Sequence, residues 1–335
     1  MKSLCMTALG AMLTLGSCGG HTERKTQAAD TIALASCPCF EPDSALLYIK
    51  EQCAFGPRVA GSKESQQCGD YIVARFRQYG AEVSEDVNEV TLYDGSKLTA
   101  RNITASLNPS TPDRLLFCAH WDSRPWADND PETWKQKRPV MGANDGASGV
   151  AVLMELCRLM QQQPIPVGVD FVCFDAEDLG APEWEELEDE NDNSWCLGSK
   201  VWSEKARAEG YKARYGILLD MVGGRGSTFS REMTSRRFAE PVVEMVWRLA
   251  RQLGYEYYFP LRDGGYLMDD HVYVNHVARI PCIDIVPYFE DGPSSFGPTW
   301  HTTHDTPENI DPNVLKAVGQ TLTQILYNEA ATYDN

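Results

Sequence analysis

Apolar residues along the chain follow two different spacings. In segments 44–52 and 62–79 they recur every three to four positions. Tyr71, Ile72, Ala74, Phe76 and Tyr79 share related faces of the second segment, so the spacing predicts two helices. Segments 82–93 and 98–107 read as paired strands around Asp94-Gly95, a hairpin turn signal. Strand and helix then alternate: strand 114–119, helix 147–162, strand 167–174, helix 197–209, strand 215–221, a long helix from about 236 to 253, strand 280–286 and a last helix 312–331. This alternation predicts a single α/β domain: a central mixed, mostly parallel twisted sheet with helices on both faces. No internal repeat and no interdomain linker interrupts it.

The chain has 335 residues, enough to bury a substantial core without disulfide staples. With 30 Lys+Arg against 48 Asp+Glu its formal charge is -18, and no dense basic run offsets it, which argues against nucleic acid as a partner. The N-terminus adds a compartment. Met1-Lys2, the mostly apolar stretch 3–15 and Leu15-Gly16-Ser17-Cys18 read as a secretory signal, residues 1–17. The apolar stretch is too short to span a bilayer core of about 30 Å. Small residues directly before a cysteine resemble the lipobox of bacterial lipoproteins, which makes Cys18 the lipidated first residue and 18–30 a polar tether. The expectation is an exported bacterial lipoprotein on the periplasmic side of a membrane, touching it through the lipid anchor alone, with 31–335 as the folded domain.

Of 11 cysteines, removing Cys5 and Cys18 leaves nine, an odd number that keeps at least one thiol free. Cys118 and Cys173 sit in apolar runs and read as core. Cys37-Pro38-Cys39 is a close pair, and Cys53 and Cys68 are near in sequence, but the sequence fixes no pairing. No second closely spaced pair follows at finger-like distance, so a cysteine zinc site is not indicated. The acidic segment 182–193 is dense in oxygen donors yet lacks the glycine and spacing of a calcium loop; it reads as a solvated loop near the site.

The chemistry lies where the apolar strands end. Strand 114–119 runs into His120-Trp121-Asp122, strand 167–174 into Asp175-Ala176-Glu177-Asp178, and the next strand into Asp220. In open α/β sheets ligands bind beyond the carboxyl ends of the strands, so these groups should converge. Asp145, in the Gly-rich turn Gly142 to Gly149 before a helix, and His301, in Trp300-His301-Thr302, join them. Mixed His and carboxylate donors suit a catalytic zinc with three protein ligands and one open position. Glu177 beside Asp178 is placed to act as a general base. Adjacent residues on an extended segment point oppositely, so a kink after the strand is required for both acids to face one site.

These motifs, together with Leu218-Leu219-Asp220, Gly264-Gly265 leading to Asp269-Asp270-His271, and Trp300 directly before His301, resemble the glutaminyl cyclases, the bacterial zinc-dependent type related to the animal enzymes and to zinc aminopeptidases. The likeness runs from about Pro57 to the C-terminus. It implies an aminopeptidase-like fold and one zinc per chain on Asp145, Asp178 and His301. It also implies Glu177 as acid and base, with Asp220 and Asp269 in a carboxylate network near it. Asp178 stands where the animal enzymes carry Glu. His120 matches a second-metal ligand of the peptidases and is left out of the zinc set.

The implied reaction converts the N-terminal glutamine of peptides and proteins to pyroglutamate with loss of ammonia, the zinc acting as Lewis acid on the γ-carboxamide. Trp300 and Phe296 are expected pocket walls, with Trp184 or Trp195 as a lid. The rival readings are a two-zinc aminopeptidase drawing on His120, Asp145, Asp178, Asp220 and His301, and a non-catalytic binding lipoprotein. A serine hydrolase is disfavoured, because no Gly-x-Ser-x-Gly occurs.

Overall fold

The apolar runs become the interior strands of a six-stranded sheet. In the computed structural model, which describes residues 31–186 and 194–332, the strands are β1 (Glu82–Thr91), β2 (Lys97–Leu107), β3 (Arg114–His120), β4 (Gly168–Phe174), β5 (Gly216–Leu219) and β6 (Cys282–Ile285). The expected signal 1–17, Cys18, the tether up to residue 30 and positions 187–193 of the acidic segment lie outside the described residues. Strand order is β1-β2-β4-β3-β5-β6. The β3–β4, β3–β5 and β5–β6 pairs are parallel, while β1–β2 and β2–β4 are antiparallel, which is the mixed, mostly parallel sheet expected.

Helices α1 (Pro42–Cys53), α2 (Lys63–Gln78), α3 (Ala147–Gln162), α4 (Leu197–Glu209), α5 (Met233–Gln252), α6 (Asp270–Tyr273) and α7 (Pro312–Ala331) complete the fold. Successive strand residues point to opposite faces, and both faces are covered. Leu115, Phe117 and Ala119 of β3 enter the core shared with Val150 of α3, Val246 of α5 and Leu322 of α7. Leu116 and Cys118 enter a second cluster with Trp202 of α4, Val274 and Ile280. Two-sided burial is why these strands read as unbroken apolar runs. Cys118 and Cys173 are fully buried, and among the described residues no cysteine is bonded to another. No helix of the described residues is long and apolar enough to cross a membrane.

The sequence pattern misses details that matter for the site. β5 and β6 are shorter than their apolar runs; after Leu219 the chain leaves the sheet, with Met221 at φ 50°. Helix α5 begins at Met233 because the Glu232 side chain caps it, and it breaks at Ala239 (φ -143°, ψ 38°), two residues before Pro241. The single turn α6 and the π-helical turn Val274–Ala278 are too short to leave a periodic signal.

The order β4-β3-β5 sets the location of the site. From β3 the chain crosses to β4 on one side and later returns to β5 on the other, so β3 is the topological switch point and a crevice opens at its carboxyl end. Close packing brings the start of α3 to that point. A Cβ at Gly149 would lie 2.4 Å from the Leu219 carbonyl oxygen, so only glycine lets α3 settle this deeply on β3 and β5.

Candidate active site

Asp145, Asp178 and His301 converge from three separate segments. Their donor atoms all lie within 4.8 Å of one another, and all three side chains are buried. His301 Nε2 is 3.2 Å from Asp178 Oδ1 and 3.8 Å from Asp145 Oδ2. Asp178 Oδ2 is buried with no hydrogen-bond partner. A buried carboxylate oxygen without a donor is costly unless a cation meets it, so this two-carboxylate, one-imidazole set fits a zinc ion.

Each member is held by a distinct local device. Asp145 sits in a turn whose backbone N–H groups, at Asn144 and Asp145, donate to the Asp305 carboxylate at 2.7 and 3.0 Å. Gly146 follows at φ 100°, where a Cβ would stand 2.3 Å from the Asp122 carbonyl oxygen, so this sharp entry into α3 requires glycine. His301 adopts φ 54° and places Nδ1 3.4 Å from Asp128 Oδ1. Asp128 in turn accepts from Arg124 Nε at 2.9 Å, and Arg124 is itself buried. A carboxylate behind a metal-binding imidazole fixes its ring orientation.

The kink required after β4 is present. Ala176 takes φ 56°, and Glu177 and Asp178 then turn their backbone N–H groups onto the two oxygens of Asp122, both at 3.1 Å. Asp122 is fully buried. Asp175, by contrast, is structural: its carboxylate accepts from the backbone N–H of Arg101 at 2.8 Å and of Ala176 at 2.9 Å.

Glu177 projects into the crevice with 13% of its side chain exposed. Burial, more than any neighbour, pushes its carboxyl well above the usual range; His120 opposes this, and Asp178, Asp269 and Asp270 add to it. One of its oxygens accepts a hydrogen bond from the Cys196 thiol at 3.3 Å. Donor atoms of Glu177, Cys196 and Asp269 lie within 4.8 Å of one another.

A second donor group, His120, Asp145 and Asp220, shares Asp145 with the first. His120 Nε2 stands 3.0 Å from Asp145 Oδ1 and 3.1 Å from Asp220 Oδ1. Burial would lower the imidazole pKa, but the neighbouring carboxylates of Asp122, Asp145 and Asp220 hold it well above its ordinary value. Burial raises Asp220 to about 7. The two groups therefore differ: His120 already bridges both carboxylates of its group, whereas the first group leaves Asp178 Oδ2 unmet.

Asp269 caps α6, accepting from the Asp270 N–H at 2.5 Å, and its donor atom lies within 4.8 Å of those of His271 and Asp284. Glu232 supports this segment. Its carboxylate accepts from the N–H groups of Thr234 and Ser235, both at 2.6 Å, and of Leu267 at 3.1 Å, and contacts His271 Nε2 at 3.1 Å.

The crevice encloses about 320 Å³ and is lined by Asp145, Glu177, Asp178, Asp220, Asp269 and His301 together with apolar walls. Among those walls are Phe296 and Trp300, expected as walls, and Trp195, one of the two expected lid candidates. Trp300 stacks on the His301 ring at 3.8 Å, and Phe296 meets Trp300 at 4.8 Å. Trp184 is placed elsewhere: it packs edge-on against Trp126 at 6.1 Å and is 40% exposed. Met221, Tyr266, Leu267 and Met268 complete the described lining and carried no sequence signal. Asp122 was expected at the site as one of the strand-end acids, but its hold on the Glu177 and Asp178 N–H groups was not; Cys196, Arg124, Asp128, Glu232 and Asp284 were not singled out by the sequence.

Comparison with known proteins matches residues 102–326 to the model of peptidase family M28. Among solved structures, the chain is similar to the glutaminyl cyclase of Bacteroides thetaiotaomicron bound to N-acetylhistamine, with 45% identity and a TM-score of 0.85 over 88% of this chain and 99% of that one. The Tannerella forsythia glutaminyl cyclase is 47% identical, with a TM-score of 0.84 over 87% and 99%. A Zn-dependent exopeptidase of Parabacteroides distasonis is 46% identical, with a TM-score of 0.85 over 88% and 100%. Curated relatives are more distant and longer. The match to the Bacillus subtilis aminopeptidase YwaD is 26% identical over 68% of this chain, and the chain spans 44% of that protein's length.

Proposed function

The chain belongs to peptidase family M28, and from that premise we propose that it is a zinc-dependent glutaminyl-peptide cyclotransferase acting on peptides and proteins with N-terminal glutamine. The observation that carries the reading is the crevice itself: a carboxyl of raised pKa, Glu177, faces an apolar, aromatic-walled chamber beside a three-donor zinc group. Near end-to-end similarity to the Bacteroides and Tannerella cyclases supports it.

The reaction closes a ring within one substrate residue. The α-amine attacks the γ-carboxamide carbon, the C–N bond to the amide nitrogen breaks, and ammonia leaves. Glu177 takes a proton from the attacking amine and returns it to the departing nitrogen, a role suited to a buried carboxyl whose pKa is raised. Asp145, Asp178 and His301 would hold the zinc, which would supply Lewis acidity toward the carboxamide oxygen. Trp195, Phe296 and Trp300 restrict the flexible glutamine side chain to attack geometry and exclude water that would otherwise compete. Asp220 and Asp269 line the same chamber, with Asp220 in contact with His120.

One zinc per chain is the proposed count, supported by the unmet oxygen in the first group and the hydrogen-bonded histidine in the second. The proximity of His120, Asp145 and Asp220 favours one competing reading, a two-zinc aminopeptidase. Zinc analysis of the purified protein with Glu177→Gln as companion separates them. The cyclase reading expects one zinc in both proteins and ammonia release from a Gln-peptide lost in the variant by at least about 100-fold. Two zincs with peptide-bond cleavage would replace it. Export and lipidation at Cys18 complete the proposal, and intact-mass analysis of the membrane fraction tests them: an unmodified N-terminus would remove the anchor.

A further inference from the structure

The segment Trp195-Cys196 touches both halves of the site at once. Trp195 stacks parallel to the His301 ring at 6.0 Å, 6° between planes, and lies over the Arg124 guanidinium at 4.7 Å. One residue on, Cys196 turns to the proton carrier. Its backbone N–H donates to the Glu177 carbonyl at 2.9 Å, the Leu197 N–H donates to the Ala176 carbonyl at 3.0 Å, and the Cys196 thiol reaches Glu177 Oε1 at 3.3 Å. The backbone bonds fix where the main chain of Glu177 lies; of these three bonds, the thiol's is the one that reaches its carboxylate.

Cys196 holds φ 57°, ψ 33°, a left-handed conformation that suits glycine and disfavours a side chain. It is also fully buried, belongs to none of the buried hydrophobic clusters, and has the carboxylates of Glu177, Asp269 and Asp270 beside it. A buried cysteine is ordinarily a small hydrophobe, which explains neither the backbone nor the surroundings. Burial, followed by Glu177 and its neighbouring carboxylates, pushes the thiol well above its ordinary range, so it remains an S–H donor. On the other side of Glu177, His120 Nδ1 stands 3.9 Å from Oε2, too far for a hydrogen bond.

We propose that Cys196 is a positioning residue, whose thiol holds the Glu177 carboxylate in the one orientation that faces the substrate amine. The inference rests on Glu177 being the proton carrier. Without the donor, the carboxylate samples other rotamers, and the fraction of enzyme in attack geometry falls while the zinc group and the aromatic walls stay in place. The loss then appears in kcat and leaves KM nearly unchanged.

The test is steady-state kinetics on Cys196→Gly, Cys196→Ala and Cys196→Ser, each checked by urea unfolding, with Glu177→Gln alongside. Glycine relieves the left-handed backbone, so a purely structural cysteine predicts a Gly variant with wild-type turnover. The positioning role predicts kcat lowered about tenfold in the Gly and Ala variants at unchanged KM, with recovery in the Ser variant, whose hydroxyl restores a donor. If the Gly variant does not fold, the Ala and Ser pair carries the same contrast. Wild-type kcat in the Gly or Ala variant, or a Ser variant as impaired as Ala, overturns the inference. An active Glu177→Gln overturns the proposed function instead.

Discussion

Replacing Asp122 by Asn isolates the device that aims the two neighbouring acids. The carboxylate receives the Glu177 and Asp178 N–H groups on separate oxygens, each at 3.1 Å, and is fully buried. Asparagine keeps the shape but turns one oxygen into an NH2 group, which cannot accept. One charge-assisted bond is lost and a buried N–H is left facing another donor, a cost of about 2–4 kcal/mol. Relaxing that clash moves the Ala176–Asp178 turn, and a shift of about 1 Å in Glu177 costs roughly 100-fold in turnover. Urea unfolding and initial rates of ammonia release from a Gln-peptide measure the two effects on one preparation. A variant with unchanged unfolding midpoint and wild-type kcat would refute the claim that Asp122 sets the turn.

Three further outcomes follow from other contacts. Burial favours a raised Glu232 pKa, but His271 and the helix-capping N–H groups hold it down to about 2, against 4.5 for the unperturbed group. This depressed carboxyl contributes stability that is fully present above about pH 4.5 and is lost as pH falls toward 2. Glu232→Gln should therefore cost about 3 kcal/mol at pH 7 and less than half of that at pH 3, read from paired denaturation curves; a pH-independent difference would contradict it. Arg124→Met leaves Asp128 buried without its guanidinium partner and should cost about 3–5 kcal/mol, whereas a loss under 1 kcal/mol in urea melts would show the pair to be unimportant. Removal of zinc by a chelator exposes the unmet oxygen of Asp178, so it should lower Tm and abolish turnover, with both restored by added zinc. A Tm indifferent to chelation would remove the metal from the Asp145, Asp178 and His301 group.

The parts of this molecule legible in the sequence are those whose signal is local. β3, β4 and α3 appear as written because two-sided burial and helical spacing are properties of consecutive residues, and their ends deliver His120, Glu177, Asp178 and Asp145 to one crevice. His301 follows from its neighbour Trp300. What supports these groups is not local. Asp122 grips residues 55 and 56 positions away, Glu232 reaches His271 39 positions on, and Cys196 meets Glu177 across an acidic segment. Composition offers no cue for such pairings, and a buried cysteine in the linear chain looks like any other core cysteine. Of the two aromatics flanking the acidic segment, the ring of Trp184 meets Trp126 and Lys137 while Trp195 lines the crevice, a difference that nothing in their local sequence marks.

Ring closure without hydrolysis is distinguished from peptide cleavage by mass spectrometry of two synthetic peptides, Gln-Phe-Ala and Leu-Phe-Ala, incubated with the chain from about residue 30. The expected result is that the first peptide loses ammonia while its peptide bonds stay intact, and that the second is unchanged. Release of free leucine or free glutamine would contradict it and assign the crevice to an aminopeptidase.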